Sequence, residues 1–497
     1  MSAAIRQLIA HAEVRLDPDP SRVLAQLFVP GQELVRDRAS RTSGVLNRIL
    51  ALPEEAVDTT LEAVTARFTG RHRDLRATLQ AHYERVAHRV TDDTALSNER
   101  RLLIGACFTK EYSVEAAALF NPSAVAHPDQ SGLERGAVRF VLSLRAVGEG
   151  HISSLEFRTG VVGPGRNLRL DDPGRFLDAG QHQPTTYDRE LFLGKLAEVA
   201  ADEESSSFLM RRLPPHFENA ALESALSDLA DQPETRHGAA RTGQLARHIA
   251  MCNYDIEFDS TSPLPERVLR PHSPSESGGI EDARFVRFID DDGSATYYAT
   301  YTAFDGKQVT PQLIETADFQ RFQMRQLSGL AARNKGMALF PRKVGGRFVA
   351  LSRWDRESNA IATSPDGRAW GSPTTLQTPE QPWELIQLGN AGSPVETDSG
   401  WLVLTHGVGP MHEYSLGAIL LDLHDPSRVI GALREPLIRP APSEQDGYVP
   451  NVVYSCGALV YGDQLLLPYG VSDSSVRFAF VDIPLLLDRL TVDGPWK

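Results

Sequence analysis

The sequence predicts a mainly β protein: a five-bladed β-propeller with an N-terminal helical extension and a helical insert. Three observations predict it, namely a recurring strand plan, a near-regular spacing of its copies, and two blocks of helical texture. The plan recurs in "GAVRFVLSLRAV", "GSATYYATYTAF", "GGRFVALSRWD", "DSGWLVLTHGV" and "YGDQLLLPYGV". Each copy opens at a Gly-containing turn and runs through apolar and aromatic residues to a polar or aromatic one near its end. With Arg145, Tyr301, Arg353, His406 and Tyr469 as markers, the steps are 156, 52, 53 and 63 residues. The last three steps suit one blade of about 40–50 residues plus loops. The first is about three times too long for a blade, and its surplus contains a helical block.

The helical blocks come in chain order at 1–115 and at about 190–255. "AVDTTLEAVTARFTGRHRDLRATLQAHYERVAHRV" is rich in Ala, Leu, Arg and Glu, with apolar residues three and four apart. "ELFLGKLAEVAADEESSSFLMRRL" and "ALESALSDLADQ" read the same way. The expected organisation is a helical extension over 1–115 and a propeller over 116–497 that carries the insert. Inside the third copy, "TSPDGRAWGSP" spaces Ser364, Asp366, Gly367 and Trp370 as an Asp-box hairpin of the kind found on propeller blades. The plainer readings are an ordinary Asp-Gly hairpin and, for the whole region, a β-sandwich of irregular strands.

A chain of 497 residues, 41% hydrophobic and 23% charged, can build a large core. Its net charge of −14 argues against a nucleic-acid partner, which needs surplus Lys and Arg. Cys107, Cys252 and Cys456 are far apart, which excludes a disulfide framework and a cysteine zinc site and suits a reducing compartment. The histidines show no HxH or HxxxH spacing, so no metal site is expected. No apolar run reaches about 18 residues, and the first twenty or so residues lack the apolar segment of a signal peptide. The expected location is cytoplasmic, with no membrane partner.

In a propeller the inner strands line a central channel, so polar residues at strand ends converge on one pocket. Arg145, Arg353, His406, Tyr301 and Tyr469 end such strands, and Asp282, Asp305, Lys335 and Asp473 stand nearby in sequence. Arg353, His406 and Lys335 together would make an anion site, best suited to a phosphate that accepts Arg in bidentate fashion. Each also has a bland reading. Arg353 could pair with Asp355 or Glu357, His406 could be a buried bonded histidine, Lys335 a solvated loop lysine, and Asp473 a turn residue. Asp282, in "SGGIEDARF", could likewise be a turn acid beside a Gly-Gly bend.

"FNPSAV", "LSLRAV", "GIEDARF", "NKGMALFPRKVGGRFVALSR", "GNAGSPVETDSGWLVLTHGVGP" and "YVPNVVYSCGALV" occur in this order over about 115–485. This series resembles glycoside hydrolase family 130, the β-mannoside phosphorylases and β-mannosidases built on a five-bladed propeller. The helical 1–115 resembles the longer members that act on β-1,2-linked mannooligosaccharides. The resemblance implies that Asp282, in the place of the family's single acid, is the proton donor, acting through the sugar's 3-hydroxyl. Ala283 stands where the family has Pro. It implies phosphate binding by Lys335, Arg353, His406 and Tyr414, and sugar binding by Asn121, Arg145, Asp305 and Asp473. Arg284 would orient Asp282 or bind substrate, unless it pairs with Glu281.

An inverting hydrolase ordinarily needs a second carboxylate to activate water, whereas a phosphorylase can use phosphate as the nucleophile. The retained basic set therefore points to phosphorolysis of a β-mannoside, most simply a β-1,2-mannooligosaccharide, to α-mannose 1-phosphate. Inorganic phosphate is the co-substrate and no other cofactor is expected. Gln387 replaces a family lysine, and Glu413 beside His412 could serve a hydrolase as base if it pointed inward. A β-mannosidase and a non-catalytic sugar-binding propeller are the competing readings. Amphipathic helices in 1–115 suggest a homo-oligomer, a dimer in the simplest case.

Overall fold

The computed structural model describes residues 3–30, 41–90, 95–231 and 236–495. The chain divides into two compact units, one of residues 1–18, 117–173 and 179–497 and the other of 19–116 and 174–178.

The larger unit is mainly β and consists of successive antiparallel meanders. The first runs through Ala118–Ala126, Val138–Val147, Ser153–Gly163 and Asn167–Leu170. The second runs through Gly279–Ile289, Ala295–Phe304, Val309–Thr316 and Arg321–Gln326, and it is extended by Tyr254–Glu257 and Gln181–Gln183. A single parallel pairing, Gly279 with Ser153, joins these two into one sheet. The third contains Ala338–Leu339, Phe348–Ser352, Asn359–Ser364 and Thr374–Gln377. The fourth contains Gln387–Asn390, Gly400–Val408, Tyr414–Leu421 and Val429–Ala432. The fifth contains Val453–Tyr454, Gln464–Val471 and Ser475–Asp482, and its outer strand is Ile9–Leu16 from the other end of the chain. The strand plan seen in the sequence is the second strand of each meander, which has a neighbouring strand on either side.

Consecutive meanders share cores, because the apolar faces of their sheets have no other cover. Phe157 of the first packs on Phe285 and Phe319 of the second. Val286 and Leu313 share a cluster with Leu339, Ala350 and Trp370 of the third, and Phe340 of the third packs on Trp401 of the fourth. Leu404 and Leu416 join Leu465, Leu467 and Val481 of the fifth. The fifth meets the first through the Cys456 amide on the Pro122 carbonyl at 2.8 Å and the Leu119 amide on the Ser474 carbonyl at 3.1 Å. The Ser364–Trp370 stretch is the expected hairpin. Asp366 Oδ1 accepts the Arg368 and Ala369 amides, Ser364 Oγ accepts the Gly367 amide, and Trp370 is buried.

The insert is helical as expected, with helices Arg189–Glu198, Glu203–Arg212, Asn219–Ala230 and Arg236–Met251. Asp188 and Asp202 cap the first two by accepting the Leu191 and Ser205 amides. Phe192, Leu196, Leu209, Leu222, Leu226 and Ile249 give the insert its own core.

The smaller unit packs Arg41–Leu50, Glu54–Phe68, Leu75–Val86 and Asn98–Cys107 around Leu46, Val57, Tyr83 and Ile104. Residues 1–115 are not helical throughout, which corrects the reading from composition. Val23–Leu27 pairs with Thr109–Ser113, and Ile9–Leu16 is a strand of the larger unit. Exposed His11, Glu13 and Arg15 alternate with half-buried Ala10, Ala12, Val14 and Leu16, a period of two rather than 3.6. Parts of that stretch, residues 1–2, 31–40 and 91–94, lie outside the described residues. Among the described residues no helix is long and apolar enough to cross a membrane.

Candidate active site

A cavity of about 720 Å³ draws residues from every meander of the larger unit. Asn121 and Arg145 come from the first, Asp282 and Lys307 from the second, Lys335 and Arg353 from the third. Gln387, His406 and Tyr414 come from the fourth, and Tyr454 and Asp473 from the fifth. The recurring positions are the first strand and the end of the second strand.

Asn121 and Asp282 owe their placement to matching irregularities. Each sits at a break in register of a first strand, between Phe120 and Ser123 and between Glu281 and Arg284. At these bulges the backbone turns left-handed, with φ of 49° at Asn121 and 54° at Asp282. Such a conformation costs a non-glycine residue about 1–3 kcal/mol and re-aims its side chain. Asn121 Nδ2 then donates to Asp282 Oδ1 at 2.6 Å. Asp473 follows the second strand of the fifth meander with φ of 48°.

Cations crowd the Asp282 carboxylate. Arg145 Nη1 lies 3.5 Å from Asp282 Oδ1, and its Nη2 donates to Glu281 at 2.6 Å. Lys335 Nζ donates to the other Glu281 oxygen at 2.6 Å. Arg284 is fully buried beneath the cavity rather than lining it. It donates to the Asp282 carbonyl at 2.9 Å and to the Tyr454 hydroxyl at 2.6 Å, so it orients the Asp282 backbone and does not pair with Glu281. Burial pushes the Asp282 carboxyl up, but Arg145, Lys335, Arg284 and the Asn121 amide outweigh it and bring it down to about 2.

Asp473 is the opposite case. It faces the same cavity and accepts no hydrogen bond among the described residues. Burial lifts it to about 7, with Arg145 opposing and the Asp282 charge assisting.

Arg353 is buried, and among the described residues it has no carboxylate partner. Its Nη2 donates to the Arg356 carbonyl at 2.8 Å while its Nε is buried without a partner. Burial lowers its pKa. Gly389 makes room for it, since a Cβ there would lie 2.1 Å from Arg353 Cδ and 2.9 Å from His406 Cε1. His406, expected as a cation, is held neutral. Burial and the neighbouring Arg353 and Arg284 charges push it well below the ordinary histidine range. Its Nδ1 bonds the Asn390 carbonyl at 3.0 Å, and its ring stacks on Tyr414. The Tyr414 hydroxyl accepts from Gln387 Nε2 at 3.1 Å, so the glutamine braces the tyrosine.

Three expectations do not fit this placement. Asp305 is exposed and outside the cavity lining; its Oδ1 accepts the Lys307 and Gln308 amides at 2.8 and 2.6 Å. It is a turn residue that presents those neighbours to the cavity. The Tyr301 hydroxyl is buried on Glu276 and Gln312, and that of Tyr469 meets His11, so neither strand end reaches the site. Glu413 lies 3.9 Å from Arg439 and, with His412, is absent from the lining. The sequence reading missed Lys307, Gln308, Asn334, Arg356 and Tyr454 as lining residues; Tyr454 lies in a first strand of only two residues, too short to show a pattern.

A family profile described as beta-1,4-mannooligosaccharide phosphorylase, that of glycoside hydrolase family 130, matches residues 252–491. The beta-1,2-mannobiose phosphorylase of Listeria innocua is 34% identical over 234 residues, 46% of this chain and 64% of that protein's length. The 1,2-beta-oligomannan phosphorylase of a Thermoanaerobacter species is 32% identical over 248 residues, 48% of this chain and 80% of that protein. The solved Listeria innocua enzyme in complex with beta-1,2-mannobiose aligns over 77% of this chain and 93% of its own, with 22% identity and a TM-score of 0.44. On the profile match and the coverage of the Thermoanaerobacter relative, the chain belongs to glycoside hydrolase family 130.

Proposed function

We propose that the protein is an inverting β-mannoside phosphorylase, acting on β-1,2-mannooligosaccharides with inorganic phosphate. The observation that carries the reading is Arg353, a buried guanidinium with no carboxylate in ion-pair contact among the described residues, in the same cavity as Asp282. A buried unpaired cation is costly unless an anion completes the site. Phosphate would lie among Arg353, Lys335, His406 and Tyr414, with the sugar held by Asn121, Arg145 and Asp473. The relatives named as phosphorylases of β-1,2-linked mannosides support the substrate class. The meanders, each contributing to one cavity and the fifth bonded to the first, support a five-bladed propeller around it.

In this mechanism a phosphate oxygen attacks C1 from the face opposite the departing oxygen, forming C1–O–P as the glycosidic bond breaks. Asp282 supplies the proton to the leaving oxygen by way of the sugar's 3-hydroxyl, and the proton brought in on hydrogen phosphate returns to Asp282 once mannose 1-phosphate leaves as its dianion. Lys335 is one of the cations that hold Asp282 ionised, and phosphate bound on it would offset that charge. Phosphate binding therefore raises the Asp282 pKa and readies it as an acid. No cofactor beyond phosphate enters this scheme. A cytoplasmic location and a homodimer belong to the same reading, and light scattering in solution tests the dimer.

The decisive experiment is incubation with β-1,2-mannobiose, with and without inorganic phosphate, following mannose 1-phosphate and free mannose. Mannose 1-phosphate formed only with phosphate supports the reading. Free mannose released without phosphate would replace it with hydrolysis.

A further inference from the structure

His406 is the histidine of the anion-binding set, held neutral by its surroundings, and its two ring nitrogens are in different situations. Nδ1 faces the Asn390 carbonyl at 3.0 Å. A carbonyl oxygen only accepts, so Nδ1 carries the proton. Nε2 is buried and has no partner. Arg353 and Arg284 stand near the ring, and no carboxylate contacts it among the described residues, so a second proton is disfavoured. In the neutral ring Nε2 is a bare lone pair, an acceptor on a residue that lines the cavity beside the Arg353 donor.

The neighbouring atom sharpens the point. The place a Cβ on Gly389 would occupy is 2.7 Å from Arg353 Nε and 2.9 Å from His406 Cε1, the carbon between the two ring nitrogens. A buried donor without a partner, Arg353 Nε, thus lies beside a buried acceptor without a partner, His406 Nε2. An anion that satisfies both must accept at one oxygen and donate from another. Hydrogen phosphate does this through its P–O–H group. Sulfate, of similar size and charge, carries no proton at neutral pH and would set an oxygen lone pair against Nε2.

We propose that His406 is a specificity-determining residue that reads the proton on the nucleophile, accepting a hydrogen bond from P–O–H at Nε2. This rests on the phosphorylase reading. It goes beyond it by fixing which protonated form is bound and where its proton points. Arsenate, which keeps an As–O–H group, is accepted for the same reason.

The test uses the full-length enzyme, β-1,2-mannobiose, and phosphate, arsenate and sulfate. Arsenate should replace phosphate as a co-substrate. Sulfate should compete with phosphate with an inhibition constant more than about tenfold above the phosphate KM, the scale of a lost hydrogen bond and an unpaired buried acceptor. A smaller ratio overturns the proposal. In His406→Gln, whose amide can turn a donor toward the anion, the gap between sulfate and phosphate should close. A folded variant that keeps the gap also overturns it. Should that variant fail to fold, the wild-type ratio decides alone. If the wild-type enzyme makes no mannose 1-phosphate, the phosphorylase reading itself fails. If it makes mannose 1-phosphate while sulfate competes as well as phosphate does, only the role of His406 fails.

Discussion

Gly389→Ala tests the anion pocket through one methyl group. Gly389 lies in the extended strand Gln387–Asn390, paired with His406, so alanine brings no backbone strain. The added Cβ would stand 2.1 Å from Arg353 Cδ and 2.7 Å from its Nε. Ordinary carbon contact is about 3.5–4.0 Å, so the Arg353 side chain has to retreat by more than about 1 Å. Overpacking of this kind costs about 1–3 kcal/mol of stability, and misplacing a binding group by about 1 Å costs on the order of 100-fold in rate. The expected result is a kcat/KM for phosphate reduced about 100-fold, with the KM for mannobiose changed less than about threefold. Steady-state kinetics with each substrate varied in turn measures both. A kcat/KM for phosphate within about twofold of wild type, in a variant that folds, would refute the placement of phosphate beside Arg353.

Asp282→Asn should lower kcat by about 10²–10⁴ without raising the phosphate KM, because it removes a negative charge near the anion; a raised phosphate KM would move Asp282 into the phosphate site. Asp473→Asn tests the carboxyl lifted to about 7. Because the folded state holds that proton more tightly than the unfolded chain, the wild type loses stability from this group as pH rises from about 4 to about 7. The variant should therefore match wild type near pH 4 and exceed it by about 2–4 kcal/mol above pH 7, read as denaturation midpoints; equal midpoints at both pH values would contradict the unpartnered burial. Asp305→Ala should cost about 1 kcal/mol and less than tenfold in kcat/KM, as for a turn residue. A loss beyond about 100-fold would return Asp305 to the sugar.

The parts of the fold legible in the sequence were those with enough residues to show a period. The second strands run long and apolar, so their copies stand out, and Arg145, Arg353 and His406 at their ends do meet in the cavity. First strands such as Ala338–Leu339 and Val453–Tyr454 are two residues long, which leaves no pattern to read and hid Tyr454. The Asp-Gly turn at Asp305 and the bulge at Asp282 look alike as strings. What separates them is the left-handed backbone of Asp282 and the register break across its partner strand, which only pairing creates. The charge state of His406 was also out of reach, because it is set by burial and by arginines remote in sequence.

Ile9–Leu16 hydrogen-bonds to Ser475–Asp482, so one sheet is built from an early and a late stretch of the polypeptide. Joining them closes a loop of well over 400 residues, an entropic term of roughly 5 kcal/mol for a flexible chain. On the ribosome, at about 5–20 residues per second, the early strand waits roughly half a minute or more for its partner to be made. Until then it is an orphan edge with an apolar side. The exposed His11, Glu13 and Arg15 that alternate along it discourage a neighbouring nascent chain from pairing there first. The last sheet is therefore completed only after Ser475–Asp482 has been made, and a chain arrested before Ser475 leaves the early segment without its mate.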